Sequence, residues 1–128
     1  MAGAPGRREW SVRRLTVIVT MLVGIVSACG GDGGEAQAVE VQLGNFVIIP
    51  SVVTVGAGDV ELEVVNVDPS LVHNLVAGGK GTRSLAPGER QTLSLGEMEP
   101  GEYRMWCDIP GHAQAGQIAT LIVEATPA

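Results

Sequence analysis

The stretch Pro100-Gly101-Glu102-Tyr103-Arg104-Met105-Trp106-Cys107-Asp108-Ile109-Pro110-Gly111-His112 contains the features that decide the fold of this chain. It opens with a Pro-Gly turn signal, and residues 103–107 then form a typical strand sequence. A thiol at Cys107 and an imidazole at His112 follow, and Pro110-Gly111 can bend the chain between them. The stretch therefore predicts a β-strand whose end carries two metal-ligating side chains.

His73 completes a donor set of one thiolate and two imidazoles. The 128-residue chain has only 2 histidines and 2 cysteines, and both histidines and one cysteine fall in this set. Two His and one Cys with a weak fourth ligand is the blue-copper arrangement, whereas structural zinc usually takes four strong ligands. We therefore expect a metal site at His73, Cys107 and His112. Copper is the expected metal, and the alternative is a site that binds zinc or no metal.

The first 28 residues have the composition of an export signal. Four arginines precede the apolar stretch Leu15 to Val26, which is short for a membrane-spanning helix. Val26-Ser27-Ala28-Cys29 resembles the lipobox of bacterial lipoproteins, in which the cysteine is lipidated and becomes the mature N-terminus; a short membrane anchor is the alternative. We expect a signal peptide over residues 1–28 and a lipid on Cys29. The lipid would hold the protein at the outer face of the bacterial cytoplasmic membrane, with Sec and twin-arginine export both open.

Removal of this signal leaves an acidic protein. Residues 29–128 carry 4 basic and 13 acidic side chains, a formal net charge of −9. This charge excludes electrostatic binding to nucleic acid or to an anionic bilayer, and it leaves a basic protein partner or simple solubility as interpretations. With Cys29 lipidated, Cys107 has no disulfide partner, and an exported free thiol is best protected when a metal holds it as thiolate.

The remaining chain predicts an all-β domain. Residues 29–38 form a Gly-rich tether, and residues 39–128 are long enough for one domain. Short strand patterns are separated by turns rich in Gly, Pro and Asp, and no segment has convincing helical periodicity. These features favour a β-sandwich. The predicted strands are residues 39–43, 46–49, 60–67, 72–77, 92–95, 103–107 and 118–123.

Taken together, these motifs resemble the cupredoxins, the family of blue-copper proteins. Residues 100–112 are similar to the family's motif around its copper cysteine, and Val72-His73-Asn74-Leu75 is similar to the strand that carries the first histidine. Residues 85–89 and 118–123 resemble a turn and the last strand of small bacterial members. The resemblance covers residues 39–125 and implies a Greek-key β-sandwich with one type 1 copper.

The chain departs from the family pattern at the axial position. The family usually has methionine after His-x-x-x-Gly, whereas this chain has Gln117, as in proteins resembling stellacyanin. An amide oxygen is a harder donor than a thioether and favours Cu(II). We therefore expect Gln117 to be the axial ligand; the alternative is a three-coordinate copper with Gln117 in solvent. The resemblance also implies that Asn74 ties the two ligand loops together by hydrogen bonds.

The resemblance implies an electron carrier that cycles one copper between Cu(I) and Cu(II), rather than an enzyme. We expect a monomer whose redox protein partner docks beside His112. A copper storage or delivery module, or an accessory subunit of a larger complex, is the alternative. The predicted docking surface is a small uncharged collar formed by Ile109, Pro110, Gly111, Ala113, Ala115 and Gly116.

Overall fold

The computed structural model describes Gly3 and residues 37–126, and all the regular structure in these residues is β. The predicted signal peptide and Cys29 lie outside the described residues. Within them, no helix is long and apolar enough to cross a membrane. The nine strands are β1 (Gln37–Gly44), β2 (Val47–Ile49), β3 (Val52–Gly56), β4 (Gly58–Asn66), β5 (Val76–Ala77), β6 (Lys80–Gly81), β7 (Arg90–Met98), β8 (Gly101–Trp106) and β9 (Ile118–Glu124).

The strands form two mixed sheets. The first has the order β2-β1-β4-β7, and the second has the order β3-β9-β8-β5-β6. The pairs β1–β4 and β3–β9 are parallel, whereas the other neighbouring strands are antiparallel. Strands distant in sequence are thus neighbours within each sheet, as in Greek-key connections. The predicted all-β sandwich is confirmed.

The core lies between the inner faces of the two sheets. On β4, Val60, Leu62 and Val64 are fully buried, and the glutamates between them are half-buried. This alternation follows from the strand geometry, in which successive side chains point to opposite faces. Met105 and Leu121 supply fully buried side chains from the second sheet. Each such aliphatic side chain contributes about 1.5–3 kcal/mol by leaving water.

Several strands differ from their sequence-based prediction. Strand β3 was not predicted, because its exposed position Val52 is also apolar and obscures the alternation with the buried Val53. The strand predicted over residues 72–77 is wrong in extent: only β5 is regular, and His73 lies in an isolated bridge with Leu85. Strand β1 begins two residues earlier than the predicted domain, inside the predicted tether.

Three connections meet at one end of the sandwich. They are the β1–β2 turn (residues 45–46), the loop after β4 (residues 67–75) and the β8–β9 loop (residues 107–117). The ring contact between Phe46 and His112 joins the first to the third. The ring contact between His73 and His112 joins the second to the third. The residues predicted to bind the metal are carried by these loops.

Candidate metal centre

His73, Cys107 and His112 converge from two separate parts of the chain. The backbone of His73 is fixed by two hydrogen bonds with Leu85, His73 N to Leu85 O at 3.1 Å and Leu85 N to His73 O at 2.7 Å. Cys107 directly follows β8, and its N–H donates to the carbonyl of Gln117 at 3.2 Å. One ligand atom from each of His73, Cys107 and His112 lies within 4.8 Å of the others.

The closest approaches all involve Nδ1 of His112. This atom is 3.1 Å from Nδ1 of His73 and 3.5 Å from Sγ of Cys107. His73 and Cys107 are fully buried, whereas His112 is half-buried. The cluster is therefore closed on the core side, and the His112 ring is the part of it nearest to solvent.

The loop that carries His112 is a compact series of turns. His112 N donates to Ile109 O at 3.0 Å, and Gln117 N donates to His112 O at 3.1 Å. Gly111 has a φ of 86°, which glycine adopts without the steric cost that a side chain would add. The Pro110-Gly111 pair therefore bends the loop so that His112 returns towards Cys107.

Gln117 is fully buried beside the three ligands. Its Nε2 donates to the carbonyls of Gly44 at 3.0 Å and Val47 at 3.2 Å. Carbonyls only accept hydrogen bonds, so the amide nitrogen must face them and the amide oxygen must face the cluster. Oε1 lies 3.2 Å from Nδ1 of His112. The structure thus places the amide oxygen of Gln117 beside the candidate ligands rather than in solvent.

Asn74 joins the two ligand-bearing loops. Its Oδ1 accepts a 3.0 Å hydrogen bond from the backbone N–H of Asp108, the residue after Cys107. Its Nδ2 donates to Oδ1 of Asp108. A single side chain therefore links the residue after His73 to the residue after Cys107, and this link restricts relative movement of the two ligands.

Asp68 is a site residue that the sequence reasoning missed. Its Oδ2 lies 3.0 Å from Nε2 of His73, and both side chains are fully buried. Hydrogen bonds from His73 and from the backbone N–H groups of Ser70 and Leu71 hold the pKa of this carboxyl well below its usual range. In the sequence, Asp68-Pro69-Ser70 has only the signature of a turn. The contact with His73 depends on the path of the whole loop.

Asn66 and Phe46 also contribute to the site without a sequence signal. Asn66 is fully buried at the end of β4, and its Nδ2 donates to the carbonyls of Leu71 at 2.8 Å and Leu85 at 2.7 Å. Phe46 contacts His112 edge to face, with the ring centroids 5.1 Å apart. Asn66 therefore holds the loop that carries His73 through its hydrogen bonds, and Phe46 packs against the His112 ring.

The donor set and its spacing fit a single type 1 copper. Two nitrogens that each lie about 2.0–2.1 Å from one small divalent ion are roughly 3–4 Å apart, the range observed between the imidazole nitrogens. The set of one thiolate and two imidazoles, with a weaker oxygen donor beside them, matches copper better than it matches a four-coordinate structural zinc site. Nδ1 of His112 lies near three polar atoms, of His73, Cys107 and Gln117. A single ring nitrogen, with one proton or one lone pair, cannot form a hydrogen bond with all three.

Comparisons with known proteins identify the family and the fold. The family model described as cupredoxin-like domain matches residues 15–123. Auracyanin from Roseiflexus castenholzii, in its dithionite-reduced form, has 20% identity and a TM-score of 0.64, and the match covers 73% of this chain and 100% of that chain. Auracyanin B has 25% identity and a TM-score of 0.63, with coverage of 72% and 90%. A search of curated protein sequences finds no significant match.

A third similar structure belongs to an enzyme. The blue copper oxidase from Nitrosomonas europaea has 18% identity and a TM-score of 0.61, and the match covers 73% of this chain but 40% of the oxidase chain. At this identity the likeness concerns the fold alone.

Proposed function

Because this chain belongs to the cupredoxin-like family, we propose that it is a one-electron carrier with a single type 1 copper bound by His73, Cys107 and His112. The amide oxygen of Gln117 would supply a weaker fourth donor to the copper. The observation that carries the proposal is the convergence of one sulfur, two imidazole nitrogens and one amide oxygen on the same small space. Copper, when bound, supplies the one-electron couple.

The protein contributes a site that is already assembled. Backbone pairing with Leu85 holds His73, and the Asn74–Asp108 hydrogen bonds hold the segment that follows Cys107. The thiolate is a soft ligand that holds Cu(I), and imidazole suits both oxidation states. Because each ligand is fixed by neighbouring hydrogen bonds, little rearrangement accompanies a change of oxidation state. Low reorganisation of this kind favours fast electron transfer over copper release.

The half-buried ring of His112 is the proposed route for electrons. His73 and Cys107 are fully buried, so a partner reaches the site most directly through His112. The surrounding collar carries no charge, and small interfaces are typical of weak redox encounters. The proposed partner is a redox protein that docks on this collar, defined by Ile109, Pro110, Gly111, Ala113, Ala115 and Gly116.

Membrane attachment is the remaining part of the proposal, and it rests on sequence alone. It comprises a signal peptide over residues 1–28, lipidation of Cys29, a tether over residues 29–36 and a monomeric cupredoxin domain that begins with β1 at Gln37, outside the cytoplasm. Cys29→Ala should move the protein from the membrane fraction to the soluble fraction of exported protein, and mass spectrometry of the native N-terminus should find the lipid. An unmodified Cys29 would overturn this part alone.

A copper storage or delivery role is distinguished by the rate of copper loss. Two of the three strong ligands are fully buried, which favours retention of the metal. We expect the reduced, copper-loaded protein to exchange electrons rapidly with its oxidised form while losing copper slowly to a strong Cu(I) chelator. The control variant His112→Gly opens the exposed side of the site and should lose copper rapidly to the same chelator. Slow electron exchange combined with rapid copper transfer would overturn the carrier assignment in favour of delivery.

A further inference from the structure

The carboxylate of Asp68 is the polar group on the far side of the His73 ring from the candidate metal. His73 Nδ1 faces the cluster, 3.1 Å from Nδ1 of His112, and His73 Nε2 faces Asp68. The side chains of Asp68 and His73 are both 0% exposed. The contact between the carboxylate and the imidazole is therefore shielded from bulk water.

Hydrogen bonds to both oxygens fix the position of the Asp68 carboxylate. Oδ1 accepts from the backbone N–H groups of Ser70 and Leu71, both at 2.9 Å, and from the Ser70 hydroxyl at 3.3 Å. Oδ2 is left for His73, at 3.0 Å. An ionised carboxylate only accepts hydrogen bonds, so this contact requires a proton on Nε2. The lone pair of the neutral ring is then on Nδ1, the nitrogen that faces the cluster.

In the part of the chain that the structure describes, no lysine or arginine forms an ion pair with Asp68. Within residues 37–126, the ion pairs of arginine involve Glu89 and Glu63, and the pair formed by Asp68 is the one with His73. A buried negative charge one imidazole away from a metal favours the more highly charged oxidation state. A carboxylate bonded to a ligating histidine also raises the basicity of that ligand.

We propose that Asp68 is a positioning residue of the copper site: it fixes His73 as the tautomer with a free Nδ1, and its buried charge lowers the reduction potential. This inference rests on the proposed copper-binding function. Asp68 would lower the reduction potential, as the amide oxygen of Gln117 would. The competing explanation is that Asp68 only closes the turn over residues 68–71.

Asp68→Asn separates these two explanations. In either orientation of the new amide, its NH₂ group meets an N–H group, of His73 in one case and of Ser70 and Leu71 in the other. If the oxygen keeps the two backbone bonds, the NH₂ group faces Nε2 and favours the His73 tautomer protonated at Nδ1. That tautomer cannot donate its Nδ1 lone pair to a metal.

The first measurement is the tautomer of His73 in the metal-free protein, by nitrogen-15 NMR of the imidazoles at pH 8. We expect a proton on Nε2 in the natural protein and on Nδ1 in Asp68→Asn. This readout needs no copper, and the natural protein alone is informative if the variant does not fold. A natural protein whose neutral His73 carries its proton on Nδ1 would overturn the proposal.

The second measurement compares copper binding in Asp68→Asn with two controls. We expect the variant to lose about tenfold to a hundredfold in copper affinity, the range typical of lost partners of metal-ligating histidines. The loss should be greater for Cu(II); a tenfold lower ratio of Cu(II) to Cu(I) affinity raises a one-electron potential by about 59 mV. Asp59→Asn removes the same charge at an exposed position, and Ser70→Ala removes one contact of Oδ1 while leaving Oδ2 on His73. Both controls should stay near the natural potential.

The possible failures are distinguishable. If the natural protein forms thiolate-bound copper but Asp68→Asn keeps its tautomer, affinity and potential, the role of Asp68 is overturned and the copper function stands. If the natural protein binds no copper through Cys107, the proposed function fails and the potential-lowering role fails with it, whatever the tautomer of His73.

Discussion

At the scale of single residues, the orientation of Gln117 decides which atom of its amide faces the candidate ligands. Two backbone carbonyls hold the amide nitrogen, so the oxygen is presented to the cluster at 3.2 Å from His112 Nδ1. The sequence predicts Gln117 as the axial ligand, because it stands where the resembling family has methionine, and this role stays a prediction. It did not predict the two carbonyls, which flank the β1–β2 turn some seventy residues away.

Replacement of this glutamine tests its role as an axial ligand. Gln117→Met exchanges a hard oxygen for a soft thioether and should raise the reduction potential by about 59 mV or more, a tenfold or greater change in relative affinity. The potential is measured by voltammetry of the copper-loaded variant. Gln114→Met, at an exposed position of the same loop, should leave the potential unchanged. Equal potentials for both variants would show that the amide does not ligate.

Asn66 supports the His73 loop and should contribute strongly to stability. Asn66→Ala leaves the carbonyls of Leu71 and Leu85 and the N–H group of Asp68 without this partner. We expect the free energy of unfolding of the metal-free protein to fall by about 2–4 kcal/mol, because buried polar groups are costly to leave unpaired. Chemical denaturation measures this loss, and Gln114→Ala is the exposed control. Surface substitutions usually change the free energy of unfolding by less than about 0.5 kcal/mol. A loss that small for Asn66→Ala would contradict the supporting role of Asn66.

At the scale of elements, β4 shows why the fold class was predictable from the sequence. Its alternation places Val60, Leu62 and Val64 on the core face, and this signal is local. The order of strands in the sheets was not readable in the same way, because β1 pairs in parallel with β4 and β3 pairs in parallel with β9 across long connections. Short elements such as β6, with two exposed residues, carry almost no pattern at all.

A truncation in β4 tests the importance of this core face. Leu62 is fully buried, so Leu62→Ala should reduce the free energy of unfolding by about 2–5 kcal/mol through lost burial and a residual cavity. Thermal or chemical unfolding of the metal-free protein gives the value. Glu61→Ala, on the opposite face of the same strand, should change stability by only about 0.5 kcal/mol. Similar losses for the two variants would contradict the assignment of the faces.

At the scale of the whole molecule, the exposed edge of the site and the acidic charge of the domain are the features that the proposed partner would meet. The grouping of His73, Cys107 and His112 was predictable from the sequence because the chain has so few histidines and cysteines. Asp68 was not, since its contact with His73 exists only when the loop after β4 folds over the core. The sequence shows which residue types are present, but it does not show which residues of a folded loop come into contact.

A charge placed on the collar tests the proposed docking surface. Ala113→Glu puts a carboxylate beside His112 and should slow electron transfer with the native partner at least tenfold, because docking would then bury an unpaired charge. Thr54→Glu adds the same charge at an exposed position of β3 and should have little effect. Stopped-flow rates at fixed ionic strength provide the comparison. Equal rates for the two variants would exclude docking through the collar.

The visible and electron paramagnetic resonance spectra of the protein loaded with Cu(II) test the central claim most directly. We predict intense blue or green charge-transfer absorption and a narrow copper hyperfine splitting, both lost in Cys107→Ser because they require the thiolate. A colourless protein with ordinary copper splitting, or one that binds zinc in preference to copper, would contradict the assignment of a type 1 copper electron carrier.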